Sequence, residues 1–315
     1  MVIIAKRGYE ILDNSNPLQL IEYAARLCYK SENFQTGKEF IQRLWKGNGK
    51  DSHMSPFEHA QFIFEVPEWY FKIFQKLLNR HYIVLSIDTI NKKPRYVVSG
   101  NFRSFYELSD YNKDISGFIK EVIEYPLYMI YKQYPDLFKT PLEPVEELSF
   151  KVLKYEDLTP LEIERHWRVS VKFISNRGIS HEAVRNSSSE DFRGSYSQLS
   201  TRYCDFSKDK HGKEIKIVVS STIMEGSQEY KTFMDFYAQC ERIYMYLRDN
   251  GTKPQVARDA LPIGLETEWI QSMNMFQWMH FLNQRSSSDA HPDMVDLVKP
   301  LREEFVKRYP MLKWE

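Results

Sequence analysis

The sequence predicts a mixed α and β protein of one or at most two units, and three observations carry that expectation. Its 315 residues suffice for a sizeable core at roughly 150 residues per domain. Short β-rich runs recur at 60–66 (AQFIFEV), 95–99 and 167–174 (WRVSVKFI). Between them lie longer segments with apolar residues at three-four spacing. Taken in order, residues 17–30 place Leu18, Ile21, Ala24, Ala25 and Cys28 at helical spacing and predict an amphipathic helix. A loop follows near 46–55. Its Gly47, Gly49 and Lys50 fall short of a phosphate loop, because Leu44 stands at the first glycine position and Asp51 at the hydroxyl. After the 60–66 strand, Pro67 opens a helix that runs to His81, and the 95–99 strand enters a turn at Gly100. Residues 115–160 are rich in Tyr, Glu and Pro and read as helix and loop. The 167–174 strand leads through Gly178 and Ser180 to a helix beginning near His181. Such a strand-to-helix junction offers backbone N–H groups to an anion. Within 222–248, Phe233, Tyr237, Cys240, Tyr244 and Leu247 form the stripe of a long core helix that stops at Asn250–Gly251. Pro254 opens a helix over 256–261, another spans 276–285, and the last, near 292–309, is expected to bend or break at Pro300. The sequence reads as free of internal repeats and low-complexity tails.

Charge and cysteine usage narrow the function classes. Lys plus Arg number 43 and Asp plus Glu number 43, so the chain lacks the net field that a long nucleic-acid or anionic-membrane surface needs. No stretch approaches the roughly 20 apolar residues of a membrane span, and the N-terminal run MVIIAK is too short for a secretory signal. The expected location is the cytoplasm. Cys28, Cys204 and Cys240 are an odd number without paired spacing, which points to reduced thiols and away from a zinc site. The 20 Tyr and 20 Phe serve a large core, and also suit ligands with planar rings.

Polar chemistry concentrates between 165 and 202. Arg165, Arg168, Lys172, Arg177, Arg185, Arg193 and Arg202 there face only Glu182, Glu190 and Asp191. Ser187, Ser188, Ser189, Ser195, Ser197, Ser200 and Thr201 are interleaved. Arginine forks with small hydroxyl donors suit phosphate oxygens, so a phosphorylated small molecule is the expected ligand, against the simpler alternative of a solvated charged face. His181–Glu182 begins like a zinc-protease helix, but Arg185 occupies the second histidine position, so no metal is expected. Neither a G-x-G-x-x-G fingerprint nor a G-x-S-x-G elbow occurs.

Residues 177–203 (RGISHEAVRNSSSEDFRGSYSQLSTRY) resemble the signature region of the flavin-dependent thymidylate synthases, whose pattern is Arg-His-Arg, seven variable residues, then Ser-x-Arg-Tyr. Four more segments match in the family's order: 53–59 (HMSPFEH), 99–103 (SGNFR), 257–262 (ARDALP) and 274–285 (NMFQWMHFLNQR). The resemblance implies an α+β fold, a twisted, mostly antiparallel sheet with long helices. It implies one domain over 1–315 with a family-specific insertion about 105–160, assembled as a homotetramer with shared active sites. The implied reaction is methylation of dUMP at C5, with methylenetetrahydrofolate giving the methylene group and FAD reduced by NADPH giving the hydride. By similarity Glu182, Arg185, Ser200, Arg202, Arg258 and Arg285 contact dUMP. Arg285 is the catalytic candidate, matching an arginine that stabilises the N3-deprotonated uracil. His53, Ser55, Gln198, Asn274 and His280 match positions that serve the flavin.

One departure stands out. Arg185 is followed by Asn186 and Ser187 instead of His-Arg, and fourteen residues separate it from Ser200. Arg193 on this lengthened loop is the candidate to return the missing charge to FAD and nucleotide. Three readings follow: a working thymidylate synthase, a related flavoenzyme that methylates or hydroxymethylates another pyrimidine nucleotide, or a catalytically silent nucleotide-binding protein.

Overall fold

The computed structural model describes residues 2–14, 16–30, 41, 44, 53–76, 83–111, 113–135, 148–185, 194–208 and 212–314. In chain order, β1 (Ile3–Ile4) and β2 (Gly8–Ile11) lead to α1 (Pro17–Tyr29), whose cap Asn16 accepts from Leu18 and Gln19 N–H. A 3-10 turn (Ser55–His59) enters β3 (Gln61–Val66) and α2 (Glu68–Lys76). The hairpin β4 (Val84–Ile90) and β5 (Lys93–Asn101) follows, then α3 (Phe102–Tyr111) and α4 (Lys113–Gln133). Next come β6 (Lys151–Val152), α5 (Pro160–His166), β7 (Arg168–Asn176), α6 (Arg177–Val184) and β8 (Ser195–Gln198). The chain ends with β9 (Lys216–Ile217), α7 (Gln228–Asp249), the short α8 (Pro254–Ala257), β10 (Glu266–Asn274), α9 (Met275–Arg285) and α10 (Pro292–Arg308).

Two four-stranded sheets organise these elements, with orders β2-β7-β10-β8 and β4-β5-β3-β6. Every pairing within them is antiparallel, and β1 pairs with β9 in parallel. The fold is therefore the α+β class with antiparallel sheets and long helices. Strand alternation sends the two faces of the second sheet to different cores. Phe62, Phe64 and Val98 join Phe57, Phe74, Phe102 and Phe105 on one side. Ile63 and Val97 point the other way and pack with Val169, Phe173, Trp269, Trp278 and Phe305 of the first sheet and its helices. Each such buried side chain contributes about 1.5–3 kcal/mol relative to exposure.

Several elements differ from the sequence expectation. The strand at 95–99 does not turn at Gly100. It runs through to Asn101, and Gly100 makes room for the Phe105 ring, which a Cβ there would crowd at 3.0 Å. Its partner β4 went unread because Ser86, Asp88 and Thr89 break the apolar run. The helix expected near His181 starts at Arg177, where the Asn176 side chain caps Ile179 N–H at 2.9 Å. The helix from Pro67 is found as Glu68–Lys76. The helix expected over 256–261 is replaced by Pro254–Ala257 and a 3-10 turn, Arg258–Ala260. The stripe of α7 is only partly core: Tyr237, Cys240 and Tyr244 are buried, while Phe233, Phe236, Ile243 and Tyr246 are exposed. Helix α10 does not break at Pro300, whose missing N–H falls on the exposed side. The expectation of helix and loop over 115–160 omits β6.

Candidate functional site

The short helix α6 is the centre of the cationic region. Strand β7 delivers it, and its first two N–H groups are held outside the helix, Arg177 N–H by Leu265 O at 3.0 Å and Gly178 N–H by Ile263 O at 3.3 Å. Half-buried Arg177 faces Arg258, and burial together with that like charge lowers its pKa. Its Nη1 is buried with no hydrogen-bond partner among the described residues. At the other end of α6, Arg285 Nη2 donates to Glu182 O at 2.8 Å, while Arg285 Nε is buried and unpartnered. Among the described residues no ion pair is seen for Arg177, Arg185, Arg202, Arg258 or Arg285. Arg185, Arg202 and Arg258 are exposed, but the Nη1 of Arg177 and the Nε of Arg285 are withdrawn from water without a partner among the described residues, which is costly, and an anionic ligand would offset that cost. Beside Glu182 lies an open cavity of about 180 Å³ lined by Asn176, Gly178, Phe233, Tyr237 and His291. Gly264 forms part of its wall, where a Cβ would meet the Tyr237 hydroxyl.

Strand β8 connects this helix to a second group. Gln198 Nε2 donates to Ser180 Oγ on α6 at 2.7 Å and to Thr267 Oγ1 on β10 at 3.1 Å. Two residues later Ser200 N–H donates to Cys28 O at the end of α1, and Ser200 Oγ accepts from Arg202 and Tyr203 N–H at 3.3 and 3.4 Å. Tyr203 packs on Tyr29 with ring centres 5.3 Å apart, and His53 stands edge-on to both at 6.0 Å. The Arg202 guanidinium sits over the Tyr203 ring at 5.3 Å. Burial, with neighbouring Tyr203, pushes the Tyr29 phenol up to about 12, so it is a neutral ring at physiological pH. This loop is pinned to α7 by Asp205, which accepts from Arg248 Nη2 at 2.7 Å and Nε at 3.0 Å. Burial alone would raise the Asp205 pKa, but Arg248 and Ser207 hold it well below the ordinary range. Burial raises the pKa of Cys28, which leaves it a protonated thiol and not a nucleophile.

A third group lies where β8 and β10 meet the Ser55–His59 turn. Buried His59 has Nδ1 2.6 Å from Ser272 Oγ and Nε2 2.9 Å from Ser197 Oγ. Burial, helped by Arg168, lowers its pKa to about 3, so it is neutral with one nitrogen donating and one accepting. Arg168 Nη2 donates to Ser195 Oγ and Ser272 O at 2.8 and 2.7 Å. Ser55 is exposed at the start of the turn.

The structure distributes the expected site residues as follows. Glu182, Arg185, Arg258 and Arg285 gather around α6, His53, Ser200 and Arg202 at the end of α1, and Gln198 links the two. Exposed His280 projects from α9. Asn274 is spent on structure: its Oδ1 accepts from Gln277 N–H at 2.9 Å as the cap of α9, and its Nδ2 donates to Arg165 O at 2.8 Å. Arg193 lies outside the described residues. Sequence reasoning missed Tyr29 and Tyr203 beside His53, and assigned no contact to Arg177. Its position as the first helical residue after a long strand was the available signal. No group of three or more His, Cys, Asp and Glu suited to a metal occurs among the described residues, and no described helix is long and apolar enough to cross a membrane.

The site thus consists of arginines around α6 without carboxylate partners among the described residues and an aromatic trio, Tyr29, His53 and Tyr203, at the end of α1, on antiparallel sheets with helical cover. The chain belongs to the thymidylate synthase complementing protein family, whose sequence profile matches residues 10–140 and again residues 136–311. It is 22% identical over 163 residues to a probable flavin-dependent thymidylate synthase of Paramecium bursaria Chlorella virus 1, covering 47% of this chain and 73% of that protein. The flavin-dependent thymidylate synthase of Pyrococcus furiosus is 26% identical over 142 residues, 44% of this chain and 55% of its own length. That of Geobacter sulfurreducens is 32% identical over 115 residues, 36% of this chain and 46% of its own. The chain thus spans about half the length of the last two.

Proposed function

We propose that this protein is a flavin-dependent thymidylate synthase that methylates dUMP at C5, using methylenetetrahydrofolate, FAD and NADPH. The observation that carries the reading is the set Arg177, Arg258 and Arg285 around α6, cationic and without carboxylate partners among the described residues. A 5′-phosphate dianion takes arginine forks, and Arg258 with Arg177 is the pair that would take it, since the first N–H groups of α6 are bonded within the fold. Arg285, held at Glu182 O, presents its remaining N–H groups to the pyrimidine and steadies negative charge at N3, which makes C5 more nucleophilic. Ser200 and Arg202 bind and orient the nucleotide from the α1 side.

The residues present also fit a flavin. Tyr29, His53 and Tyr203 form a partly exposed aromatic group for a planar ring, with the Ser55 hydroxyl and the His280 imidazole as exposed polar contacts. FAD supplies the hydride chemistry when bound. In this reading the protein works in the cytoplasm and as a homotetramer; the exposed Phe236, Ile243 and Tyr246 of α7 support self-association alone. A second reading, a silent nucleotide-binding relative, is favoured by the commitment of Asn274 and Gln198 to hydrogen bonds within the fold.

Tritium release from C5-labelled dUMP, in the presence of folate and NADPH, tests the proposal against dCMP and UMP. Release from dUMP alone is expected; release confined to dCMP or UMP would contradict the assignment.

A further inference from the structure

The two sheets repeat one another in strand order and register. Their strand orders, β4-β5-β3-β6 and β8-β10-β7-β2, correspond position by position. In one, Gln61 pairs with Asn101 and Ile63 with Ser99; in the other, Arg168 pairs with Asn274 and Ser170 with Ser272. At the edges Val84 faces Ser99 and Ser195 faces Ser272, which makes Ser86 the counterpart of Ser197. The short outer strands agree too: Leu153 N–H bonds Ile63 O and Leu12 N–H bonds Ser170 O, both at 2.9 Å. Both Asn101 and Asn274 end a long strand and cap the helix that begins at the next residue, each accepting a backbone N–H three residues on at 2.9 Å. Register fixes which side chain faces which, so agreement along four strands is not a generic property of antiparallel sheets.

The turns before β3 and β7 repeat as well. Ser55–Pro56–Phe57–Glu58, followed at once by His59, answers Thr159–Pro160–Leu161–Glu162, which reaches His166 after three further residues, about one more helical turn. Each histidine is buried between two serines of the other sheet. His59 meets Ser272 and Ser197, while His166 meets Ser99 at 2.8 Å and Ser86 at 2.6 Å. These serines are counterparts of one another in register, so the clamps are reciprocal. The double match of the family profile, to 10–140 and 136–311, is an independent sign of the same repeat.

The largest difference between the copies lies between their last two strands. In the first, β4 passes to β5 through Asn91 and Lys92, both with positive φ, 53° and 63°, a two-residue hairpin turn. In the second, residues 199–265 intervene between β8 and β10 and carry Ser200, Arg202, α7 and Arg258.

We propose that the chain is a tandem duplication whose first copy lacks a ligand-binding segment and serves as a built-in partner, so that one chain holds one nucleotide site. In that arrangement His59 is a positioning residue: through Ser197 and Ser272 it sets the β8–β10 edge from which Gln198 and Ser200 leave. His166 makes the same clamp on an edge that bears no site. One domain with an insertion about 105–160 gives way to two interlocked copies. The nucleotide part of this proposal rests on the function proposed above.

The test uses the full chain with dUMP as probe. Wild type should bind one dUMP per chain and Arg258→Ala none at the same concentrations; two per chain, or a second site surviving in Arg258→Ala, would overturn the proposal. Ser197→Ala and Ser86→Ala each remove one clamp hydroxyl and should lower Tm alike. Ser197→Ala should weaken dUMP binding about three- to tenfold, with rescue by Ser197→Thr, while Ser86→Ala leaves binding unchanged; equal loss in both would overturn the positioning role. Failure of wild type to bind dUMP would overturn the nucleotide reading, and amide hydrogen exchange would then decide the duplication alone. Ser197→Ala should speed exchange along β10 but not β5, and Ser86→Ala the reverse; indistinguishable patterns would overturn it.

Discussion

Arg285 donates to the carbonyl of Glu182 at 2.8 Å and so ties the last turn of α9 to the last turn of α6. A C-terminal carbonyl is a favourable neighbour for a guanidinium, but it is not a counter-charge. Arg285→Lys keeps the charge and loses the fork geometry. We expect it to bind dUMP about tenfold more weakly, and Arg285→Ala about one hundredfold, in line with about 1.5–3 kcal/mol for a charged hydrogen bond. Isothermal titration of the three proteins checks this ordering.

Arg177 and Arg258 repel each other in the free protein. Arg177→Gln should therefore leave the fold as stable or slightly more so, while weakening dUMP about tenfold. Deoxyuridine, which lacks the phosphate, should show no such difference between variant and wild type. Thermal denaturation with and without each ligand separates the two effects.

Buried His59 and His166 carry pKa values lowered to about 3, in both cases first by burial and then by nearby arginines. Unfolded, each titrates near 6.5, so the unfolded chain takes up protons that the native one refuses. Stability is whole above about pH 6.5 and falls as pH drops below it, by about 1.4 kcal/mol per pH unit for each histidine. Urea midpoints should fall steadily between pH 6.5 and 4.5, and the slope should halve in His166→Asn. Midpoints that stay flat across this window would contradict the neutral Ser-His-Ser clamps.

The Asp205–Arg248 pair fixes the loop that carries Ser200 and Arg202. Asp205→Asn leaves Arg248 without its carboxylate and should cost about 2 kcal/mol of stability. It should also weaken dUMP binding, since the loop loses its anchor on α7. Chemical denaturation and ligand titration report the two losses separately.

Much of the local structure was legible in the sequence because it is signalled locally. The apolar spacing of Leu18, Ile21 and Ala25 marks α1, and a strand-to-helix junction after β7 was expected, though Gly178 and Ser180 put its helix start too late and the cap is Asn176. The ordered motifs located Glu182, Arg258 and Arg285 before any geometry placed them around α6. What was not legible depends on pairing. The duplication leaves few shared residue types, among them Pro56 with Pro160, Glu58 with Glu162 and Asn101 with Asn274, and it emerges only once register aligns Ser86 with Ser197. In the same way, Asn274 and Gln277 carry the capping-box spacing, but nothing local shows that the Asn274 amide also donates to Arg165 O.

The most direct measurement is the visible absorption spectrum of the purified protein, taken before and after anaerobic addition of NADPH and then of dUMP. A yellow protein that bleaches with NADPH and changes again with dUMP is the predicted result. A colourless protein that takes up no added FAD would contradict the proposed flavin-dependent activity.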